Sequence, residues 1–212
     1  MKSYLPILAL SAAALLGGPD VAQATTITLT GLGFYQTIPL IVNVTTAENA
    51  TAGQIRVTVD GVNLIAYCVD LFTDIGYATY NSTLTLPSDY PGGARAAWIF
   101  ENYAAGVTTN IAGAALQLAV WDIIHDGGDG LSAGNVRLAS SGSATLRSNA
   151  SAIITASAGR TSNNATILRN VSVAGVPAQN LITSTIATPE PGTWLMTAVG
   201  LCFAGGLRRR RS

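Results

Sequence analysis

From Thr25 to about Leu86 the chain alternates polar and apolar residues in short runs. In Thr26-Ile27-Thr28-Leu29-Thr30 every second side chain is apolar, the period of a half-buried strand. Gln54 to Val59 and Val62 to Val69 flank Asp60-Gly61, a dipeptide that accepts the backbone of a two-residue hairpin turn. Pro87 to Gly93, with its Pro-Gly-Gly, interrupts the pattern, and the period changes after it. Ala94 to Ala104 and Asn110 to His125 are proline-free runs of helix-compatible residues, and Gly127-Gly128 supplies a stop for the second. A third helical stretch covers about Ala144 to Ala158, and Ala165 to Val173 and Leu181 to Ile186 return to strand character. The pattern predicts an α+β domain, a β-sandwich with an inserted helical block.

Two apolar segments lie outside this body. Met1-Lys2-Ser3 precedes the run Leu5 to Leu16, and Ala22-Gln23-Ala24 follows it. A positive start, a short apolar core and small residues in A-x-A spacing form a secretory signal cleaved after Ala24. At the other end, Thr188-Pro189-Glu190-Pro191-Gly192 leads into the apolar stretch Thr193 to Leu207, which ends on Arg208-Arg209-Arg210-Arg211. Arginines behind an apolar segment stay on the cytoplasmic side, so the rest of the chain faces outward. The order of the three parts resembles the PEP-CTERM signal. That resemblance implies an exosortase-type processing enzyme as partner, a Gram-negative-type host, and a link to exopolysaccharide or biofilm matrix. The sequence therefore divides into a signal peptide at 1–24, an extracytoplasmic domain at 25–186 and a sorting segment at 187–212. Residues 193–207 form a single apolar helix that holds the precursor in the membrane. The location expected is the cell surface or extracellular matrix.

Charge adds little until it is mapped. Charged residues are 10% of the chain, and formal charges cancel. Four of the eleven basic residues are the terminal arginines, and the only lysine is Lys2. Between Thr25 and Thr188 there are six arginines and nine acids, a net of 6 − 9 = −3. A mildly acidic body without a basic stripe argues against nucleic acid as partner.

Candidate chemistry begins with the cysteines. Cys202 lies in the sorting segment, which leaves Cys68 as the single thiol of the exported domain. An unpaired cysteine in a secreted protein marks a reactive thiol, an intermolecular bridge or a small buried hydrophobe. On the second helical run, Gln117 shares a face with Val120, Trp121 and Ile124, and a buried amide needs partners. It can hydrogen-bond the backbone of a neighbouring strand, or its carboxamide carbon can be attacked by Cys68 to leave a thioester.

Tyr67-Cys68-Val69 and Gln117-Leu118-Ala119-Val120-Trp121 together resemble the aromatic-Cys and Gln-x-Ala-apolar-Trp blocks of the thioester domains of bacterial surface adhesins. The resemblance implies a Cys68–Gln117 thioester supported by Tyr67, Ala119 and Trp121. Such a domain acylates an amine or hydroxyl on a surface or matrix target in a single turnover and is not an enzyme. Two alternatives stand beside it. One is a non-covalent structural protein of the matrix. The other is a Cys-His hydrolase, in which His125, the only histidine, serves as base. No cofactor or metal is expected. Asp122, Asp126 and Asp129 around Gly127-Gly128 are weak calcium candidates whose spacing does not match an EF-hand.

Overall fold

The computed structural model describes residues 24–43, 47–172, 175 and 177–186. Of the expected signal peptide at 1–24 only Ala24 is described, and the expected sorting segment at 187–212 lies outside the described residues. No described helix is long and apolar enough to cross a membrane.

The alternating N-terminal half folds into strands β1 (Ala24–Val42), β2 (Ala47–Val59), β3 (Val62–Cys68) and β4 (Thr79–Thr85). Asp60 and Gly61 take φ of 45° and 86° and close the β2–β3 hairpin, as their side chains predict. Thr25 Oγ1 and the Thr26 N–H both donate to the Asp60 carboxylate, which ties this turn to the start of β1. β1 runs well past the Thr26–Thr30 alternation because its glycines absorb two register shifts, at Leu29/Gly31 and Leu32/Tyr35.

Beyond the Pro-Gly-Gly break come the helices α1 (Gly93–Tyr103) and α2 (Asn110–Asp126), the short strand β5 (Val136–Leu138), and α3 (Ala144–Ala156). β6 (Ala165–Ser172) and β7 (Leu181–Ser184) complete the fold. The molecule is thus α+β, a mostly antiparallel sheet with three helices between its strands. Sheet order is β2-β3-β7-β6-β4-β1-β5, and β1 also pairs with β2 along most of its length, so the strands form a closed circuit.

α2 is the centre of the core. Every residue from Gly113 to Ile123 is buried, and all of them except Gln117 and Asp122 are apolar or glycine. Each large aliphatic side chain in it, such as Leu116 or Leu118, contributes about 1.5–3 kcal/mol by leaving water. Both ends are capped. Thr109 Oγ1 accepts from the Ala112 N–H, and Gly127, at φ 69°, donates back to the Asp122 and Ile123 carbonyls. Gly113 lets the helix seat against β1, since a Cβ there would stand 2.1 Å from the Phe34 carbonyl oxygen.

Candidate functional site

Cys68 is the last residue of β3, at the point where the hairpin loses its partner. β2 pairs with β3 only from Val62 to Ala66, so the N–H and C=O that Cys68 turns toward that side have no strand to meet. The side chain of Gln117 on α2 fills the gap. Its Oε1 accepts from the Cys68 N–H at 2.9 Å, and its Nε2 donates to the Cys68 carbonyl at 2.8 Å. A fully buried carboxamide thereby stands in for a strand residue, with one donor and the acceptor both matched.

That pairing brings together the two residues singled out in the sequence, yet it differs from the expected bond. The Gln117 carboxamide is engaged by the main chain of Cys68, and the thiol faces another amide. Cys68 Sγ donates to Gln179 Oε1 at 2.9 Å. Gln179 lies in the segment just before β7, which is held from several directions. Its Nε2 donates to the Asp70 carbonyl at 2.6 Å, and its N–H donates to the Asp74 carbonyl. Asn170 Nδ2 donates to the Gln179 carbonyl, and the neighbouring Asn180 Oδ1 accepts from the Asn170 N–H.

Burial, with the Asp70 charge nearby, pushes the Cys68 thiol well above its ordinary pKa, so the sulfur is a neutral S–H donor. Cys68, Trp121 and Gln179 line one cavity of ≈ 450 Å³. Its other walls come from the β1–β2 hairpin, including Tyr35 and Glu48, and from the loop that carries Asp74 and Tyr77. None of its described lining residues is cationic.

The other expected residues are distributed unevenly. Of the three supporting side chains, Trp121 lines the cavity. Tyr67 points to the opposite face of β3, where its ring meets Phe100 edge-on at 6.2 Å and burial pushes its hydroxyl up to about 12. Ala119 is buried within α2. His125 is not on the cavity wall. It packs edge-on against Phe72 at 5.0 Å, its Nε2 is buried without a hydrogen-bond partner, and burial lowers its pKa. Asp122, Asp126 and Asp129 do converge, each with a carboxylate oxygen within 4.8 Å of the others.

Gln179 was not among the sequence candidates. The signal available was a glutamine between two strand patterns, in Pro177-Ala178-Gln179-Asn180. Compared with known proteins, the chain matches no family model, no curated protein and no solved structure.

Proposed function

We propose that this chain is an exported covalent binding module whose reactive bond is an internal thioester between Cys68 and Gln179, with Gln117 holding Cys68 in place. The observation that carries the reading is the 2.9 Å approach of Cys68 Sγ to Oε1 of the Gln179 carboxamide in a part-buried site on the wall of the cavity. In the forming step, sulfur bonds to Cδ of Gln179 and the C–N bond breaks. The thiol proton leaves with the nitrogen as ammonia. The Asp70 carbonyl holds the carboxamide nitrogen while the thiol holds Oε1, so the group is fixed in one orientation before the step. In the consuming step, an amine or hydroxyl of the target enters through the cavity and bonds to the same carbon. The C–S bond breaks, and the target's proton returns to sulfur.

The body holds no lysine, so no side-chain amine of its own competes for that bond. A Cys-His hydrolase needs an imidazole at the thiol and a thiolate at neutral pH. Here the thiol meets an amide and its pKa is raised, so this alternative has no supporting contact. The same reading takes the strands as a sandwich, with which the mostly antiparallel pairing of one continuous sheet is compatible. Export by the N-terminal signal and exosortase-type sorting by the Pro189-Glu190-Pro191 tail complete the proposal.

Intact mass tests the bond. The purified parent should be lighter than its sequence by one ammonia, and methylamine should add once, at Gln179, and free one thiol. Gln179→Ala should have full mass and an adduct-free spectrum. Methylamine found at Gln117 would return the bond to Gln117, and a full-mass parent would end the thioester reading.

A further inference from the structure

The end of α2 and the loop after it collect three carboxylates, and Arg95 is the one described cation that acts on the buried member, Asp122. Asp122 is wholly buried near the C-terminus of the helix, where the helix dipole is unfavourable to an anion. Its Oδ1 accepts from the Gly130 N–H at 3.2 Å, but its Oδ2 is buried with no hydrogen-bond partner. A buried carboxylate oxygen left in this way costs free energy and calls for a proton or a cation.

The surroundings are arranged for the second. Asp126 shapes the loop by accepting from the Asn135 N–H and Nδ2 through Oδ1 and from the Val136 N–H through Oδ2. The exposed Asp129 returns to the same point, and all three residues present an oxygen within 4.8 Å of one another. Gly134 leaves room between them. A Cβ at this glycine, whose φ is 70°, would stand 2.7 Å from Asp126 Oδ2 and 2.8 Å from Asp129 Oδ2. Arg95 comes close to the loop, but its guanidinium donates to the Gly127 and Ile154 carbonyls and to Ser157 Oγ.

We infer that Asp122, Asp126 and Asp129 hold a calcium ion that fastens the C-terminal end of α2 to the 127–135 loop. Oxygen-only ligands select a hard cation. Calcium takes six to eight oxygens in flexible geometry, which suits an irregular loop with three carboxylates better than the strictly octahedral shell of magnesium. Remaining positions fall to loop carbonyls and water, as in the weak, millimolar-range sites of extracellular modules. The ion removes the charge conflict and leaves α2, which carries Gln117 and Trp121, anchored at both ends.

Thermal unfolding of the full purified chain at pH 7.5, with calcium or chelator, tests this. Calcium at about ten times its dissociation constant should raise Tm by about 3–6 °C. Asp129→Asn, a surface change that does not threaten folding, should weaken the response at least tenfold in calcium concentration, and Asp122→Asn should remove it. Terbium should displace calcium and show luminescence sensitised by the adjacent Trp121 in the parent and not in Asp122→Asn. No calcium effect on the parent, or an equal effect on Asp129→Asn, overturns the site. An equal shift with magnesium overturns the assignment to calcium. The result is independent of the thioester, since neither Cys68 nor Gln179 takes part.

Discussion

The Gln117 carboxamide pairs with both main-chain groups of Cys68, at 2.9 and 2.8 Å, and leaves the thiol of that residue to Gln179. One cysteine is thus gripped by two amides with different tasks. The first completes a sheet edge from a helix, which fixes the strand end to within a hydrogen bond. The second accepts the hydrogen bond of the thiol, and under the proposed reading its carbon is the one the sulfur attacks. A pair 111 residues apart in sequence, if it reacts as proposed, needs such a clamp, because small errors in position lower the rate of an intramolecular reaction steeply.

The clamp predicts a specific loss. Gln117→Leu keeps volume and burial but strands the Cys68 N–H and C=O in the core. Each orphaned group costs about 1–3 kcal/mol, so urea unfolding should show a loss of about 2–5 kcal/mol. Protein that still folds should retain some ammonia loss, since Gln179 is intact. A cost under about 1 kcal/mol would show that this amide does not hold the strand.

Much of this could be read in the chain, and the exceptions have physical reasons. Helix positions followed from proline-free runs and their caps, and the Asp60-Gly61 turn from its residues. The three-residue β5 was missed because Val136–Leu138 is too short to show a period and pairs only with the far end of β1. The meeting of Cys68 and Gln117 was legible because an amide on an otherwise apolar helix must find partners. Which atoms of Cys68 would meet it was not, since a carboxamide serves equally as a hydrogen-bonding plate and as an electrophile. Gln179 carried no local mark beyond its place between two strand patterns. Its place beside the thiol is set by β7 pairing with β3, with Leu181 opposite Cys68, a long-range register that no local period encodes.

The sorting tail makes its own prediction. Proline on both sides of Glu190 disfavours regular backbone pairing, which is what the proposed sorting role asks of Pro189-Glu190-Pro191. Changing the three residues to alanine should leave an uncleaved, membrane-held precursor on immunoblots of fractionated cells. Neutralising Arg208 to Arg211 should impair retention at the inner membrane and processing. A triple-alanine variant released like the parent would rule out the sorting assignment.

The raised pKa of Cys68 predicts how pH acts when the bond cannot form. In Gln179→Ala the thiol stays free, and burial with the Asp70 charge keeps it protonated in the folded state. In the unfolded chain it titrates near about 8.5. Above that pH the unfolded state has lost a proton that the folded state keeps, so stability falls as pH rises. The stabilisation is fully present below about pH 8.5 and declines by up to about 1.4 kcal/mol per unit above it. Tyr67, also raised by burial, adds a similar decline from about pH 10. The double variant Gln179→Ala, Cys68→Ala shares the Tyr67 effect and lacks the thiol, so the difference between the two unfolding curves isolates Cys68. That difference should change steadily between about pH 8.5 and 10.5. A parent cross-linked as proposed has no thiol to titrate and should follow the double variant. Parallel curves for the two variants across this window would show that the Cys68 thiol is not held protonated by burial.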